Sequence, residues 1–426
     1  MSRLMIGADL FCGAGGTSTG LLEAAEMLGV KLRLIAVNHW DLAIATHSRN
    51  HPGVRHINSN LENVDPRKMV PGGKLRILVA SPECTHHSRA RGGKPVNIQN
   101  RASPKYILRW IGALDVEDLL VENVPEFAEW GPLHRSGPRA GLPIKKRKGE
   151  YFQRFIRKIE AHGYVVQWRI LNAADYGDPT TRRRLFIIAR KRKAVTFPEP
   201  SHGRQAQDLL FGKCNEWRPA REIIDWSVKG ESIFSRKGPL SVNTMRRIVA
   251  GLQKFGGKAF VIGQQSGARP RGVDQPLPTV AGAGAIAFVE PYIIPYYTER
   301  DGQKPRVHSI HEPMPTIPTS NRFALIQPFL VEYYGTGKAS SVEEPLKTQT
   351  GRDRFGLVQP MILQDAEGKR YVLDILFRML QPHELAAAMS FPKSYKFSGT
   401  REQVVKQIGN AVPVKLAKAL CMSLLT

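Results

Sequence analysis

Two short apolar runs that stop at polar turn residues constrain the fold of this chain most strongly. Residues 77–80 (ILVA) lead into Ser81, Pro82, Glu83 and Cys84, and residues 119–121 (LLV) lead into Glu122. Short apolar runs bounded by turn residues are typical of buried parallel strands, and ligand sites in open α/β sheets lie at the carboxyl ends of such strands. We therefore expect the Cys84 thiol and the Glu122 carboxyl group to meet at one edge of a sheet.

A lone cysteine is more often a small buried hydrophobe than a nucleophile. Cys84 differs from that common case because it follows a sharp turn, has polar neighbours and is paired with a carboxyl group at a second strand end. These features favour the interpretation of Cys84 as a nucleophile.

The N-terminal region predicts a nucleotide-type pocket. A strand at residues 5–11 is followed by a glycine-rich turn at 12–20 and a predicted helix, and a second strand at 32–37 ends in Asn38, His39, Trp40 and Asp41. Glycines allow the backbone to approach a ligand closely. A glycine turn alone is common in such sheets, but the strand that follows it adds polar groups for a ribose and the Trp40 ring for an adenine face.

Taken together, five segments resemble motifs of the DNA (cytosine-5) methyltransferases, and they occur in that family's order. The resemblance implies a doubly wound, Rossmann-like, S-adenosylmethionine-dependent methyltransferase sheet of the α/β class, with a smaller, mainly β target-recognition domain. The segments are residues 9–16 (DLFCGAGG), 81–84 (SPEC), 122–124 (ENV), 176–188 (YGDPTTRRRLFII) and 407–413 (QIGNAVP).

The resemblance also implies a function: transfer of a methyl group from S-adenosylmethionine to C5 of a flipped-out cytosine in duplex DNA, through a covalent Cys84–C6 intermediate. Cys84 would attack C6, Glu122 would hold N3 of the ring, and Arg184 and Arg182 would hold O2 and a phosphate. The implied catalytic set is Cys84, Glu122, Asn123, Arg182 and Arg184. The implied cofactor-binding set is Asp9, Phe11, Gly13, Gly15, Gly16, His39, Trp40, Asn60, Asn410 and Val412.

Several residues depart from the family pattern. Glu83 stands where a Pro usually precedes the nucleophile, and we expect its carboxylate to point away from the thiol, whose pKa it would otherwise raise. His39 and Asn60 stand where acidic residues usually hold the ribose and the adenine, so hydrogen-bonding ability is kept while negative charge is lost. This leaves open a modified, more anionic form of S-adenosylmethionine. Thr180 replaces the Gln that opens the arginine motif.

The charge of the chain favours a polyanionic partner. The chain has 62 Lys and Arg residues but only 37 Asp and Glu residues, which gives a formal net charge of +25. Such an excess suits double-stranded DNA. The four cysteines show no paired metal spacing, which predicts a reducing compartment, no metal site and no disulfide framework. Without a long apolar stretch or a predicted signal peptide, we expect a cytoplasmic protein that does not contact membranes.

Changes in the strand and helix pattern, together with proline-rich stretches, predict three segments. Residues 1–195 form the catalytic and cofactor-binding domain, 196–375 the target-recognition domain, and 376–426 a segment that returns to the first domain. Three β repeats at about 258–360 each join two β runs by a loop with an acidic-x-Pro-apolar-x-Thr turn. Basic residues in the loops would lie beside DNA: Arg269, Arg271, Lys304, Arg306, Arg322, Lys338, Arg352 and Arg354.

Two other functions fit the same motifs. An RNA cytosine-5 methyltransferase could carry the same Cys84 and Glu122, although the long repeat-bearing segment favours DNA. The altered loop around Glu83 could instead mark a catalytically impaired DNA-binding relative. We expect a monomer, and a cognate restriction enzyme is possible.

Overall fold

A computed structural model describes much of the chain. It covers residues 4–83, 103–134, 137, 141–209, 212–234, 240–241, 244–245, 248, 260–263, 268–280, 286–295, 329–332, 339–341, 355–358, 362–364 and 370–426. Cys84, the loop of the second repeat, most of the loop of the third repeat and six of the eight loop cations named above therefore lie outside the described residues. The chain divides into two compact units, the first formed by residues 1–223, 275–284 and 381–426, and the second by 224–274 and 285–380.

A seven-stranded sheet organises the described part of the first unit, in the order β3-β2-β1-β4-β5-β7-β6. The first five strands are parallel, whereas β7 runs antiparallel to both β5 and β6. Strands β2 and β3 lie on one side of β1, and β5 to β7 lie on the other side of β4, so the strand order reverses between β1 and β4. Open α/β sheets bind ligands at such a switch point. The strands are β1 Met5–Leu10, β2 Leu32–Asn38, β3 Arg55–Asn58, β4 Lys74–Ala80, β5 Asp115–Asn123, β6 Val165–Asn172 and β7 Arg183–Arg190.

Helices cover both faces of this sheet, as the doubly wound prediction requires. The two-residue period of a strand sends alternate side chains to opposite faces, and in β4 Leu78 packs into one apolar core while Ile77 and Val79 pack into the other. Trp110 and Phe152 fill the first core, and Leu21 and Leu420 fill the second. The helices are α1 Gly16–Met27, α2 Asp41–Asn50, α3 Pro66–Met69, α4 Pro104–Ala113, α5 Glu150–Glu160, α6 Pro382–Ala388, α7 Arg401–Asn410 and α8 Val414–Leu425.

The C-terminal helix α8 packs against α1, and both of its ends bind distant parts of the chain. At its start, the buried Asp178 carboxylate accepts hydrogen bonds from the amides of Lys415 and Leu416, at 3.3 and 3.0 Å. At its end, Arg76 and Arg190 donate to the Leu424 carbonyl at 2.7 and 3.0 Å. These contacts satisfy helix-terminal groups that have no partner within the helix, and they join the C-terminal segment to the first domain.

The observed boundaries differ from the predicted ones. The first unit continues to residue 223 rather than 195, resumes at 381 rather than 376, and includes residues 275–284 from the first repeat. The physical reason is backbone pairing: the Thr181 amide donates to the Leu277 carbonyl at 2.7 Å, and the Leu277 amide donates to the Pro179 carbonyl at 3.0 Å. Three short strands complete the first unit: β8 His202–Gly203, β9 Gln207–Leu209 and β10 Gly212–Glu216.

The second unit is smaller and mainly β in its described part. One sheet has the order β11-β19-β14-β12-β13, with β18 paired to β19, and another has the order β16-β15-β17. In the first repeat β12 pairs antiparallel with β14, and in the third β15 pairs antiparallel with β17. The strands are β11 Glu231–Ser232, β12 Phe260–Gly263, β13 Arg271–Gly272, β14 Ile286–Pro295, β15 Phe329–Glu332, β16 Ala339–Ser341, β17 Phe355–Val358, β18 Ile362–Gln364 and β19 Arg370–Met379.

One stretch of the described chain, Arg401–Leu425, is long and apolar enough to cross a membrane by composition. It consists of two helices, α7 and α8, with a break at residues 411–413. Because 67% of the apolar window is buried within the protein, the stretch has the character of a core segment.

The close packing of α1 on α8 yields a test of this architecture. A Cβ at Gly20 would lie 2.6 Å from the Lys418 amide nitrogen and 2.7 Å from the Val414 carbonyl oxygen. We therefore expect Gly20→Ala to lower the free energy of unfolding by about 1–3 kcal/mol, despite the higher helix propensity of alanine. Urea denaturation measures the change, with Gly53→Ala as the control because a Cβ there meets nothing within 4 Å. Equal stability of the two variants would contradict the close approach.

Candidate active site

The carboxyl ends of β1 to β4 and the start of α4 line one cavity of about 270 Å³. Most of the lining side chains are polar, and two aromatic rings accompany them. This combination suits a nucleoside, because hydroxyl and amino groups need partners and a base needs an aromatic or apolar surface. The residues that contribute are Phe11, Val37, Asn38, His39, Ser59, Asn60, Leu61, Glu62, Glu83, Ser103 and Tyr106.

The glycine loop between β1 and α1 forms a tight turn beside this cavity. Phe11, Gly13 and Gly15 have φ values of 61°, 53° and 97°. Such values are unusual for a residue with a side chain, so the Phe11 backbone is strained where its ring reaches the cavity. A Cβ at Gly16 would lie 2.3 Å from the Val412 carbonyl oxygen, so the closing motif packs directly on this loop.

Asp9 is buried beneath the loop. Ser18 donates a hydrogen bond of 2.6 Å to Oδ2, whereas Oδ1 is buried with no hydrogen-bond partner among the described residues. Burial raises the pKa of Asp9 to about 7, against the lowering effect of the Ser18 bond. Asp9 is therefore hydrogen-bonded to the first turn of α1 through Oδ2, and its Oδ1 atom remains able to accept a hydrogen bond.

Tyr395, Thr19 and His51 form a cluster of side chains that supports the glycine loop. The Tyr395 hydroxyl donates to the Ala14 carbonyl, and Thr19 contacts both the Gly15 carbonyl at 2.7 Å and the His51 Nε2 atom at 3.0 Å. A Cβ at Gly15 would lie 2.6 Å from the Tyr395 hydroxyl oxygen. Glycine is therefore required at position 15 by both its φ value and this contact.

Three histidines extend this cluster. His47 is buried, and its Nδ1 atom lies 2.8 Å from Nε2 of His56. Burial, followed by the mutual repulsion of the protonated rings, lowers the pKa of His47 to about 3 and that of His51 to about 4. The rings are therefore neutral at physiological pH. In the described part of the chain, no group of three or more His, Cys, Asp and Glu side chains could hold a metal ion.

Glu122 is the next-to-last residue of β5 and is buried, facing an arginine. Its Oε1 atom lies 3.1 Å from Arg184 Nε, and the side chains are 11% and 12% exposed. Burial raises the pKa of Glu122, and the positive charges of Arg184 and Arg182 oppose that rise. A carboxyl group with these opposing influences can gain or share a proton with modest changes in its surroundings.

Asn123 connects β5 to the loop that contains Cys84. Its Nδ2 atom donates to the Pro82 carbonyl at 3.0 Å, and its Oδ1 atom accepts from the Val124 amide at 2.9 Å. Asn123 thus fixes the backbone two residues before Cys84 in the sequence. Cys84 itself lies outside the described residues, so the predicted meeting of thiol and carboxyl group stays a prediction.

Arg182 has a different environment from Arg184. It is 2% exposed, and its Nη1 atom donates to the Val280 carbonyl at 2.9 Å. Thr180, the departure from the family pattern, donates to the Pro278 carbonyl at 3.1 Å. The start of the arginine motif therefore binds residues 277–280, and Arg184 is the arginine in contact with Glu122.

The remaining predicted cofactor residues lie in several places. His39 and Asn60 line the cavity with Phe11. Trp40 lies outside the lining and immediately precedes α2, with the Lys406 ammonium group 5.1 Å from the centre of its ring. Asn410 is exposed at the end of α7, and Val412 is buried near Glu122 and Thr17.

Sequence reasoning missed Tyr106, Glu62 and Tyr395. Tyr106 follows the Ser-Pro start of α4, and such a helix start is a usable sequence signal for a residue that faces a strand edge. The Glu62 and Tyr395 positions carry no comparable local signal.

Arg184 should control the ionisation of Glu122. We expect Arg184→Gln to raise the pKa of Glu122 further, because the closest opposing charge is lost. An NMR titration of the Glu122 carboxyl carbon measures the change, and Arg183→Gln provides a matched control because Arg183 is an exposed neighbour. An unchanged Glu122 pKa in the Arg184 variant would contradict the pairing.

The histidine cluster should make stability depend on pH. A histidine whose folded pKa lies below its unfolded value of about 6.5 stays neutral while the unfolded chain takes up a proton, so stability is complete above pH 6.5 and is lost as pH falls. Burial raises the pKa values of Asp9 and Asp178 to about 7. These two groups take up protons in the folded state as pH falls, so they increase stability over part of the range in which the histidines decrease it. The test is therefore a comparison of variants.

We expect His51→Gln to reduce the loss of stability between pH 6.5 and pH 4.5 by up to about 1.4 kcal/mol per pH unit relative to the unmodified protein. Urea denaturation at several pH values measures this slope. His162→Gln, at an exposed position, should leave the slope unchanged. If both variants keep the original slope, the lowered pKa of His51 is wrong.

Comparisons with known proteins agree with this architecture. A family model described as C-5 cytosine-specific DNA methylase matches residues 5–216 and 302–426. The type II methyltransferase M.AgeI of Thalassovita gelatinovora is 30% identical over 200 residues, which are 46% of this chain and 42% of that protein. M.AquIA of Picosynechococcus sp. is 28% identical over 231 residues, 51% of this chain and 85% of that protein. The match covers about half the length of several relatives, including 51% of M.SacI of Streptomyces achromogenes.

Solved structures share the fold. A DNMT2 of Spodoptera frugiperda superposes with a TM-score of 0.53 at 16% identity, over 99% of this chain and 100% of that one. The Entamoeba histolytica methyltransferase EhMeth gives a TM-score of 0.53 at 13% identity, over 100% of this chain and 98% of that one. The Rossmann-like methyltransferase fold is thus confirmed, and since the family model matches most of the sequence, the chain belongs to the C-5 cytosine-specific DNA methylase family.

Proposed function

We propose that this protein transfers a methyl group from S-adenosylmethionine to C5 of a cytosine flipped out of duplex DNA. The observation that carries the proposal is the buried Glu122–Arg184 pair, whose atoms lie 3.1 Å apart at the carboxyl end of β5. Asn123 beside it holds the backbone that leads to Cys84. Family membership adds the reaction class.

The cavity residues fit the cofactor. Asn38, Ser59 and Asn60 offer hydroxyl and amide groups for hydrogen bonds, Phe11 and Tyr106 offer aromatic surface, and the glycine loop allows close approach of the backbone. S-adenosylmethionine supplies a methyl group on a sulfonium, a carbon open to nucleophilic attack. These residues would bind the cofactor at the edge of the sheet that also presents Glu122.

Cys84 is the candidate nucleophile. The other three cysteines, Cys12, Cys214 and Cys421, are buried, and burial raises the pKa of Cys12 and Cys421. A thiol needs exposure and a low pKa to react as the thiolate, so these cysteines are poor candidates. In the proposed reaction the Cys84 thiolate bonds to C6 of cytosine, and the electron pair of the C5–C6 double bond becomes available at C5.

Glu122 and Arg184 would stabilise the ring during this addition. As C6 is attacked, negative charge develops toward N3 and O2. A carboxyl group whose pKa is raised by burial can donate to N3, and the Arg184 guanidinium can donate to O2 while remaining beside Glu122. S-adenosylmethionine held by the cavity residues would supply the methyl group to C5 and would leave as the neutral thioether. A base removes the C5 proton, the C5–C6 double bond re-forms, and the C6–sulfur bond breaks to return the thiolate.

Duplex DNA is the proposed substrate. The net charge of +25 favours a polyanion, and the target base must leave the stack to reach a strand-edge site. We assign target recognition to the second unit. Arg269 lies in a loop of that unit and is exposed, so its positive charge is available to a DNA phosphate.

Covalent trapping tests the mechanism directly. DNA that contains 5-fluorocytosine cannot lose a proton from C5, so the C6–sulfur bond persists after methyl transfer. With S-adenosylmethionine present, we expect a denaturation-resistant protein–DNA adduct. We expect Cys84→Ser to abolish the adduct and Cys214→Ser, at a buried cysteine, to retain it. Glu122→Gln should slow adduct formation by about 100- to 10,000-fold.

The same experiment separates the alternatives. An adduct with 5-fluorocytosine RNA and none with DNA would replace the DNA proposal by an RNA cytosine-5 methyltransferase. Binding to DNA without any adduct would indicate a catalytically impaired relative. An adduct that survives Cys84→Ser would overturn the assignment of the nucleophile.

A further inference from the structure

His39 and Glu83 come together at the wall of the cofactor cavity. Both side chains line it, and His39 Nε2 lies 3.9 Å from Glu83 Oε1 with side-chain exposures of 50% and 37%. His39 follows β2, and Glu83 follows β4. The two residues are the unusual members of two different motifs, and the sheet places them side by side.

We propose that Glu83 is a cofactor-binding residue that accepts hydrogen bonds from the ribose hydroxyls, with His39 beside it as its positioning partner. This inference rests on the proposed function and assigns one contact within it. In the family pattern the acidic residue for the ribose stands at the end of β2, where this chain has His39. The inference assigns that role to Glu83, which follows β4.

The chemistry of the cavity favours a carboxylate for this task. A vicinal diol presents two O–H donors, and a carboxylate has two oxygens that can accept both. Hydrogen bonds to a charged acceptor are stronger than those to a neutral amide or hydroxyl oxygen. Asn38, Ser59 and Asn60 supply only neutral groups to the cavity.

Two carboxylates line the cavity, and they differ in their contacts. Glu62 accepts a hydrogen bond from the Tyr106 hydroxyl at 3.2 Å. Glu83 contacts His39 at 3.9 Å, a distance longer than a hydrogen bond, so its oxygens retain acceptor capacity toward a ligand. His39 can turn a ring N–H toward the same carboxylate or toward the ligand, because its side chain is half-exposed.

The position of Glu83 gives this contact a second consequence. Glu83 directly precedes Cys84, and the carbonyl of Pro82 on its other side is held by Asn123 at 3.0 Å. A bound ribose would therefore fix the backbone that leads into the nucleophile.

A comparison of two ligands tests the contact. Isothermal titration calorimetry would measure the Kd of S-adenosylhomocysteine and of its 2′-deoxyribose analogue for the unmodified protein and for Glu83→Gln. We expect the unmodified protein to prefer the hydroxylated ligand by about 10- to 100-fold, the range for a hydrogen bond to a charged group. Glu83→Gln should lose most of this preference, because only the contact to the hydroxyl changes.

Two further variants sharpen the result. Glu62→Gln removes the other cavity carboxylate and should retain the preference within about 3-fold, since Glu83 and its contact to the ribose hydroxyls are unchanged even if both ligands bind with altered affinity. His39→Glu combined with Glu83→Gln returns a carboxylate to the cavity from β2, and it should restore the preference. Thermal unfolding of each variant confirms that the fold is retained.

The outcomes separate this inference from the function on which it rests. If the unmodified protein binds neither ligand, the proposed function itself is wrong. If it binds both but Glu83→Gln keeps the full preference for the hydroxylated ligand, or weakens both ligands equally, Glu83 does not contact the ribose and only the further inference fails.

Discussion

The docking of α8 on α1 and the central sheet is the interaction on which the rest of the first unit depends. A helix leaves unpaired amides at its start and unpaired carbonyls at its end, with a dipole that favours negative and positive partners respectively. Asp178 meets the start of α8, and Arg76 and Arg190 meet its end while sharing the Asp118 carboxylate. Because Asp178 belongs to the arginine motif, the same contact ties that motif to the helix that follows the closing motif.

This docking has a direct effect on the glycine loop between β1 and α1. With α8 in place, Val412 packs on Gly16, and Tyr395 reaches the Ala14 carbonyl. The loop is therefore held from behind by residues far away in the sequence, while its front faces the cavity. Strained backbone at Phe11 persists because its surroundings determine it from several sides. The lowered pKa values of His47 and His51 behind this loop are expected to reduce the stability of the fold at low pH.

Electrostatics at the strand edge are balanced between burial and charge. Burial raises the pKa of Glu122, whereas the positive charge of Arg184 lowers it. Their combination leaves the pKa raised but opposed by a nearby cation. A group in this state can hold a proton against a substrate ring and respond to the charge that develops there. The inferred role of Glu83 follows the same principle, with a carboxylate placed where a ligand can satisfy it.

The sequence by itself determined the strand ends, the glycine loop, the doubly wound sheet and the position of Glu122 at the end of β5. These features depend on local pattern: apolar runs of strand length, turn residues after them and motif spacing. Only the tertiary structure decided which arginine faces Glu122, that residues 275–284 join the first unit, that Trp40 lies outside the cavity lining, and that Tyr395 supports the loop. The 3.9 Å approach of His39 to Glu83 belongs with these. Such contacts join segments far apart in the chain, and strand order and helix docking set them, which no local pattern records.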